Sequence, residues 1–140
     1  MSTPRPTPAE LEILRVLWQR GACTVRQVQE SLHADQPDEP GYTTVLKTLQ
    51  IMTEKGLVSR DTTARSHVYR AAPAQADTER ELLGELVNRV FGGSAARLVL
   101  RALSGGVSPE ERAEIRALLD ESERDSTHQD GNGPRGPTDP

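Results

Sequence analysis

The side chains best suited to a chemical role lie in one short segment, residues 41–56, with the sequence GYTTVLKTLQIMTEKG. Its apolar residues recur at the i, i+4, i+7 spacing of one helix face, which predicts a helix with a second, polar face. That second face carries Thr43, Thr44, Lys47, Gln50 and Ile51. Hydroxyl, ammonium and amide groups suit DNA base edges and phosphates, so the segment is either a DNA-reading helix or a surface helix that only covers a core.

Other kinds of chemistry have little support in the sequence. We find no nucleophile, base and acid at usable spacing and no phosphate-binding loop, so the chain is not predicted to be an enzyme. His33, His67 and His128 are scattered, which predicts neither a metal site nor a cofactor. Cys23 is the single cysteine, which excludes an internal disulfide; in a turn before a helix, a small buried thiol is favoured over a redox sensor.

Composition and charge limit the class of protein. The 140 residues are 34% hydrophobic and 3% aromatic, which suits one domain or a small domain with an appendage, and favours burial against a partner subunit. No apolar run has membrane-spanning length and the N-terminus lacks a signal peptide's apolar core, so we expect a cytoplasmic protein without a membrane partner. Residues 1–70 carry nine Lys and Arg against eight Asp and Glu, and residues 71–140 carry eight against thirteen. The acidic half can therefore be held away from DNA phosphates.

Two helices should precede the reading helix. Capping boxes at Thr7 and Thr24 mark their starts, and the second helix should end near His33. The inward row of the first helix is expected to comprise Leu11, Leu14 and Trp18. A loop over residues 35–41, rich in proline and acid, then delivers the chain to the reading helix.

A β-hairpin is predicted directly after the reading helix. Residues 57–60 and 65–70 have the composition of strands, and residues 61–64 form a polar tip between them. An isolated hairpin is unstable, so it must lean on the three helices and complete a winged helix-turn-helix. Arg65, near the tip, either contacts a phosphate or the minor groove or is a solvated turn residue.

The region after the hairpin is helical again and has more apolar surface than a lone helix should expose. Glycine pairs at residues 92–93 and 105–106 divide it into three helices. We expect residues 1–73 to be the DNA-binding domain, residues 74–125 a helical dimerisation arm, and residues 126–140 a disordered tail. The candidate dimer contacts are Leu82, Leu86, Val90, Phe91, Leu98 and Leu103.

Several of these motifs together resemble the BlaI/MecI/CopY penicillinase-repressor family of bacterial winged-helix regulators. They are LEILRVLWQRG with TVRQV, GYTTVLKTL followed by EKGLVSR, then HVYRA and VFGGS, and the likeness covers residues 8–119. The resemblance implies a homodimer that represses promoters whose double-stranded operator DNA carries inverted repeats. Carried over residue by residue, it assigns the DNA contacts to Tyr42, Thr43, Thr44, Lys47 and Arg65.

The chain departs from the family at three places. Many relatives have basic residues where this chain has Gln50 and Ile51. The copper-responsive branch has clustered C-terminal cysteines that are missing here, so copper sensing is not expected. Arg101 and Ala102 stand where several relatives have an Asn-Phe bond that an inactivating metalloprotease cuts. The protease or ligand that would release this protein from DNA is therefore left open.

The predicted fold is mainly α with a small β-hairpin, namely a winged helix-turn-helix domain and a C-terminal helical dimerisation arm. The predicted function is that of a sequence-specific, DNA-binding transcriptional repressor, a homodimer without a cofactor. The alternative is a helical protein-protein interaction module that does not bind DNA. Salt dependence separates the two, because binding to DNA weakens steeply with added salt and apolar docking does not.

Overall fold

A computed structural model describes residues 5–35, 40–63 and 65–130 of the chain. Most of the predicted loop over residues 35–41, Ala64 of the predicted hairpin tip and the last ten residues of the predicted tail lie outside this range. The elements in chain order are α1 (Pro8–Arg20), β1 (Cys23–Thr24), α2 (Val25–Asp35), α3 (Tyr42–Lys55), β2 (Val58–Asp61), β3 (Val68–Ala71), α4 (Gln75–Arg89), α5 (Ala95–Ser104) and α6 (Pro109–Asp130). They group into two compact units, residues 1–85 and residues 86–140.

The first unit contains a three-stranded antiparallel sheet in the order β1-β3-β2. The predicted hairpin is formed by β2 and β3, which pair Arg60 with Tyr69. The sequence did not predict the third strand, β1, whose residues Cys23 and Thr24 pair with Tyr69 and Val68 on the other edge of β3. We call the segment from β2 to β3 the wing; α1, α2, α3 and the wing form a winged helix-turn-helix.

The helix ends confirm the capping signals of the sequence. The Thr7 hydroxyl accepts from the Glu10 N–H at 3.2 Å and the Thr7 N–H donates to the Glu10 carboxylate at 3.0 Å, which is a full capping box. Thr24 and Gln27 make the same pair of bonds at the start of α2. Gly56 ends α3 with φ +80°, where the Gly56 and Leu57 N–H groups donate to the last carbonyls of the helix.

The core of the first unit is built from the three helices and the sheet. Its buried hydrophobic members are Ile13, Leu14, Val16, Leu17, Cys23, Val25, Val28, Val45, Leu49, Met52, Leu57, Val58 and Tyr69. In the predicted inward row of α1, Leu14 is fully buried and the half-buried Trp18 packs against the core, whereas Leu11 is only half-buried. Since α1 contacts α2, α3 and β3, its buried face is wider than a single row. Trp18 lies at the edge of the core and its Nε1 donates to the Pro73 carbonyl at 3.1 Å.

One buried ion pair joins α1 to the end of α3. The Glu10 side chain is 3% exposed, and the Lys55 Nζ donates to its two oxygens at 2.8 and 3.1 Å. Burial alone would raise the pKa of Glu10, but the hydrogen bonds from Lys55 and Thr7 outweigh it and hold the pKa below its ordinary value. This pair ties the last turn of α3 to the first turn of α1.

The second unit has no buried core among the residues that the structure describes. No side chain from Leu86 to Ser126 is buried. Gly92 and Gly93, with φ +57° and +85°, separate α4 from α5, and Ser94 caps α5 through the Arg97 N–H. None of the helices in the described residues combines the length with the apolar character that a membrane-spanning segment needs.

Two predicted boundaries differ from the structure. The division between the compact units falls after Glu85, inside α4, whereas the sequence placed the domain boundary after residue 73. Thr78, the fourth residue of α4, is buried, which explains why the start of this helix belongs to the first unit. The tail was predicted to be disordered from Ser126, but α6 continues to Asp130. Residues 126–130 contain neither Gly nor Pro, so nothing in this segment ends the helix.

Candidate nucleic-acid interface

Helix α3 has a buried row and a separate exposed surface, as its spacing predicts. Val45, Leu49 and Met52 are at most 1% exposed and form the buried row. The exposed surface carries the predicted DNA contacts Tyr42, Thr43, Thr44, Lys47 and Gln50, with Ile51 beside them. Their exposure leaves them free to contact a ligand, and their contact with DNA stays a prediction.

The first turn of α3 is also open to an anion. Its N-cap residue is Gly41, which has no side chain to accept from the first N–H groups. Helices α1 and α2 differ, because Thr7 and Thr24 cap them with hydroxyl groups. Unsatisfied N–H groups and the helix dipole make such an end favourable for phosphate.

A cleft of about 590 Å³ lies between α3 and the wing. Tyr42, Leu46 and Gln50 line it from α3, at successive turns of the helix. The remaining lining residues come from β1, α2 and the wing, and are Thr24, Val25, Arg26, Arg60, Arg65, Ser66, His67 and Tyr69. The structure thus brings three predicted contacts together here, Tyr42, Gln50 and Arg65. The other three, Thr43, Thr44 and Lys47, are exposed on α3 outside the cleft.

The described residues that line this cleft are basic or neutral, and none is acidic. Among the described residues that line it there are three arginines and a histidine, and neither an aspartate nor a glutamate. This is unusual in a chain with a net charge of −4, and it favours an anionic ligand. Sequence reasoning missed Arg26 and Arg60. The alternation of β2 could have identified Arg60, since it shares a strand face with the buried Val58.

The acidic residue that follows Arg60 in the sequence is engaged elsewhere. Asp61 follows Arg60 in β2, so its side chain lies on the opposite face of the sheet. Its Oδ1 accepts from the Thr63 hydroxyl at 2.6 Å and from the Thr63 N–H at 2.9 Å, and these bonds lower the pKa of Asp61. Asp61 therefore organises the turn of the wing and leaves the cationic character of the cleft intact.

The predicted dimer contacts are all partly or largely open to solvent. Leu86 and Val90 are 45% and 62% exposed, and Leu82, Phe91, Leu98 and Leu103 are half-buried. Other large apolar side chains of the same region are also exposed, namely Leu83, Val99, Leu100, Leu118 and Leu119. Contact of these residues with a partner chain stays a prediction.

The described residues contain no cluster of metal-ligating side chains, and their one cysteine is buried. Over residues 5–35, 40–63 and 65–130, no group of three or more His, Cys, Asp or Glu side chains could hold a metal ion. Cys23 is buried, as predicted, and its thiol donates to the Gly21 carbonyl at 3.3 Å. Burial raises the pKa of Cys23 despite the opposing charge of Arg20, and this favours the protonated thiol.

Comparison with known proteins matches the chain to a family and to several solved structures, two of which follow. Residues 6–121 match the family model described as penicillinase repressor. The solution structure of the DNA-binding domain of the repressor BlaI is 22% identical with a TM-score of 0.47, and the match covers 54% of this chain and 90% of that one. RosR of H. salinarum is 15% identical with a TM-score of 0.49, and the match covers 88% and 98%. Likeness at this identity concerns the fold alone, and no curated protein sequence matches the chain.

Proposed function

Since the chain belongs to the penicillinase repressor family, whose members are DNA-binding transcriptional repressors and not enzymes, we propose that it acts as a homodimer on inverted-repeat operators. In this proposal each protomer reads one half-site, and occupancy of the operator blocks transcription. A repressor acts where the DNA is, so the proposed location is the cytoplasm.

The observation that carries the proposal is the exposed surface of α3 beside a cationic cleft. The opposite face of α3 is fixed in the core, so the helix can enter a major groove without losing its own packing. Lys47, Thr43 and Thr44 would face base edges and phosphates there. Arg65 in the wing would then lie close to the neighbouring backbone or minor groove.

The second unit supports the homodimer. Leu86, Val90 and Leu100 are between 45% and 62% exposed, and no described side chain of this unit is buried. Exposed apolar surface of this kind in a small unit without a core favours association, because burial of that surface is favourable. A second copy offers the same surface and gives two reading helices related by two-fold symmetry.

The competing function is a protein-interaction module that does not bind DNA. The cleft beside α3 argues against it, because an acid-free lining with three arginines suits a polyanion better than an apolar protein surface. The exposed apolar residues alone would fit either function, since both require a partner.

The test is selection of DNA by the full-length protein from a random pool, followed by titration of the selected duplex at several salt concentrations. We expect two half-sites related by a two-fold axis and spaced by about one helical turn of 10 bp, with affinity that falls steeply as salt rises. A selected site without two-fold symmetry would contradict the homodimer. Failure to select any sequence would contradict sequence-specific repression.

A further inference from the structure

The cleft between α3 and the wing contains one buried polar atom that the protein does not satisfy. Tyr69 is fully buried and lines the cleft, and its hydroxyl finds no hydrogen-bond partner among the described residues. An unpaired buried hydroxyl lowers stability, so native structures seldom retain one without a reason. A ligand with an oxygen acceptor, bound in the cleft, would supply the missing partner.

The charges that line this cleft come from three separate parts of the chain. Arg26 lies in the first turn of α2, Arg60 in β2 opposite Tyr69, and Arg65 near the tip of the wing. The first turn of α2 also lines the cleft, and its dipole adds positive potential. Guanidinium groups only donate hydrogen bonds, so the cleft is complementary to an oxyanion.

We propose that this cleft holds one phosphate group of the DNA backbone, with Arg26 and Arg60 as its charged partners and the Tyr69 hydroxyl as a further donor. The proposal rests on the proposed function, in which α3 lies in a major groove and the wing reaches the adjacent backbone. Solvent does not reach the hydroxyl in the unbound chain. Arg60, Arg65 and His67 are exposed, so these side chains can move apart to admit a phosphate with little loss of packing.

The first experiment compares Arg60→Gln and Arg26→Gln with a matched control, Arg70→Gln. Arg70 is an exposed residue of β3 adjacent to Tyr69, but alternation places it on the other face of the sheet. We expect each cleft variant to weaken DNA binding about tenfold and to reduce the slope of log K against log salt by about 0.9. The loss should be equal on operator and non-specific DNA, since phosphates carry no sequence information. The control should change the slope far less.

The second experiment uses Tyr69→Phe, which removes only the hydroxyl. Because that hydroxyl has no partner in the described structure, thermal unfolding of the free protein should occur at the same or a higher temperature. Affinity for DNA should nonetheless fall severalfold. A lower melting temperature with unchanged affinity would show that the hydroxyl serves the fold, and would overturn its proposed role.

The outcomes separate this inference from the proposed function. If Arg70→Gln and the cleft variants lose DNA affinity equally, binding depends on the general positive potential of the surface, and a defined phosphate site is refuted. If the wild-type protein binds its operator and both cleft variants have the wild-type slope of log K against log salt, the proposed phosphate site is refuted. The proposed repressor function is unaffected by that result. Titration of inorganic phosphate into the free protein tests whether the cleft instead binds free phosphate from solution. If Arg60→Gln abolishes phosphate binding but leaves the salt dependence of DNA binding unchanged, the cleft is a site for a free anion and the proposal is overturned. Circular dichroism checks folding, and Arg26→Gln carries the test if Arg60→Gln does not fold.

Discussion

The Glu10–Lys55 pair gives a prediction about stability that can be worked out from its geometry. Lys55→Met keeps the apolar stem of the side chain and removes the ammonium group. Glu10, whose side chain is 3% exposed in the wild type, then keeps its hydrogen bonding to Thr7 and loses its charged partner. Loss of two charge-assisted contacts should lower the free energy of unfolding by about 2 kcal/mol, less than for a fully buried pair because Lys55 is 33% exposed. The melting temperature should fall by roughly 10 °C.

The pH dependence of this loss identifies the carboxylate as its origin. The folded-state pKa of Glu10 is lowered, so its contribution to stability is present above the ordinary pKa of a glutamate and is lost as pH falls through the folded pKa. The free energies of unfolding of the wild type and of Lys55→Met, measured with urea, should therefore converge in acid.

A double-mutant cycle with Glu10→Gln isolates the charge pair, because Glu10→Gln retains the capping bond to Thr7. Lys47→Met, an exposed lysine of the same helix, is the control and should change stability by less than about 0.5 kcal/mol.

Two results would refute this reasoning. A Lys55→Met variant as stable as Lys47→Met would mean that the buried carboxylate does not depend on its partner. A stability difference that stays constant from neutral pH to below the folded pKa would mean that altered packing around the new methionine, and not loss of charge, lowers the stability.

Three further predictions concern DNA binding, assembly and release. Lys47→Ala and Thr44→Ala should each weaken operator binding by about 1–3 kcal/mol in a titration at fixed salt, with unchanged melting temperature; full affinity would contradict the assignment of α3 as the reading helix. Leu86→Asp should give monomers in sedimentation experiments, because an unpaired charge opposes burial, and a variant that still dimerises would place the interface elsewhere. The intact mass of the protein from cells exposed to a β-lactam should show an uncut chain. The reason is that Arg101 and Ala102 lie inside α5 and replace the Asn-Phe pair of several relatives. A fragment that ends at Arg101 would contradict this.

The parts of the fold that were predictable are those in which local chemistry and tertiary packing agree. The row of α3 and the capping residues Thr7 and Thr24 are set by spacing and by hydrogen bonds within a few residues, so the sequence shows them directly. Strand β1 was missed because two residues are too few to show alternation, and because its partner Tyr69 is distant in sequence. Leu11 is less buried than its spacing predicts, because burial also depends on neighbouring segments that periodicity does not describe.

The candidate site was predictable only where one helix carries it. Exposure of Lys47 and Thr44 follows from the position of the buried row of α3, and the sequence gives that row. The cleft depends on Arg26 and Arg60, which are brought together by the pairing of β3 with two other strands. That arrangement is a property of the sheet register, which no single segment encodes.

The central position of β3 determines how the wing can open. Its residues pair with β2 on one edge and with β1 on the other, and β1 is the connection between α1 and α2. Release of β3 would therefore also unpair the turn of the helix-turn-helix and expose Tyr69 from the core. The wing and the three helices should consequently unfold as one cooperative unit, so that local opening of the wing costs nearly as much free energy as global unfolding.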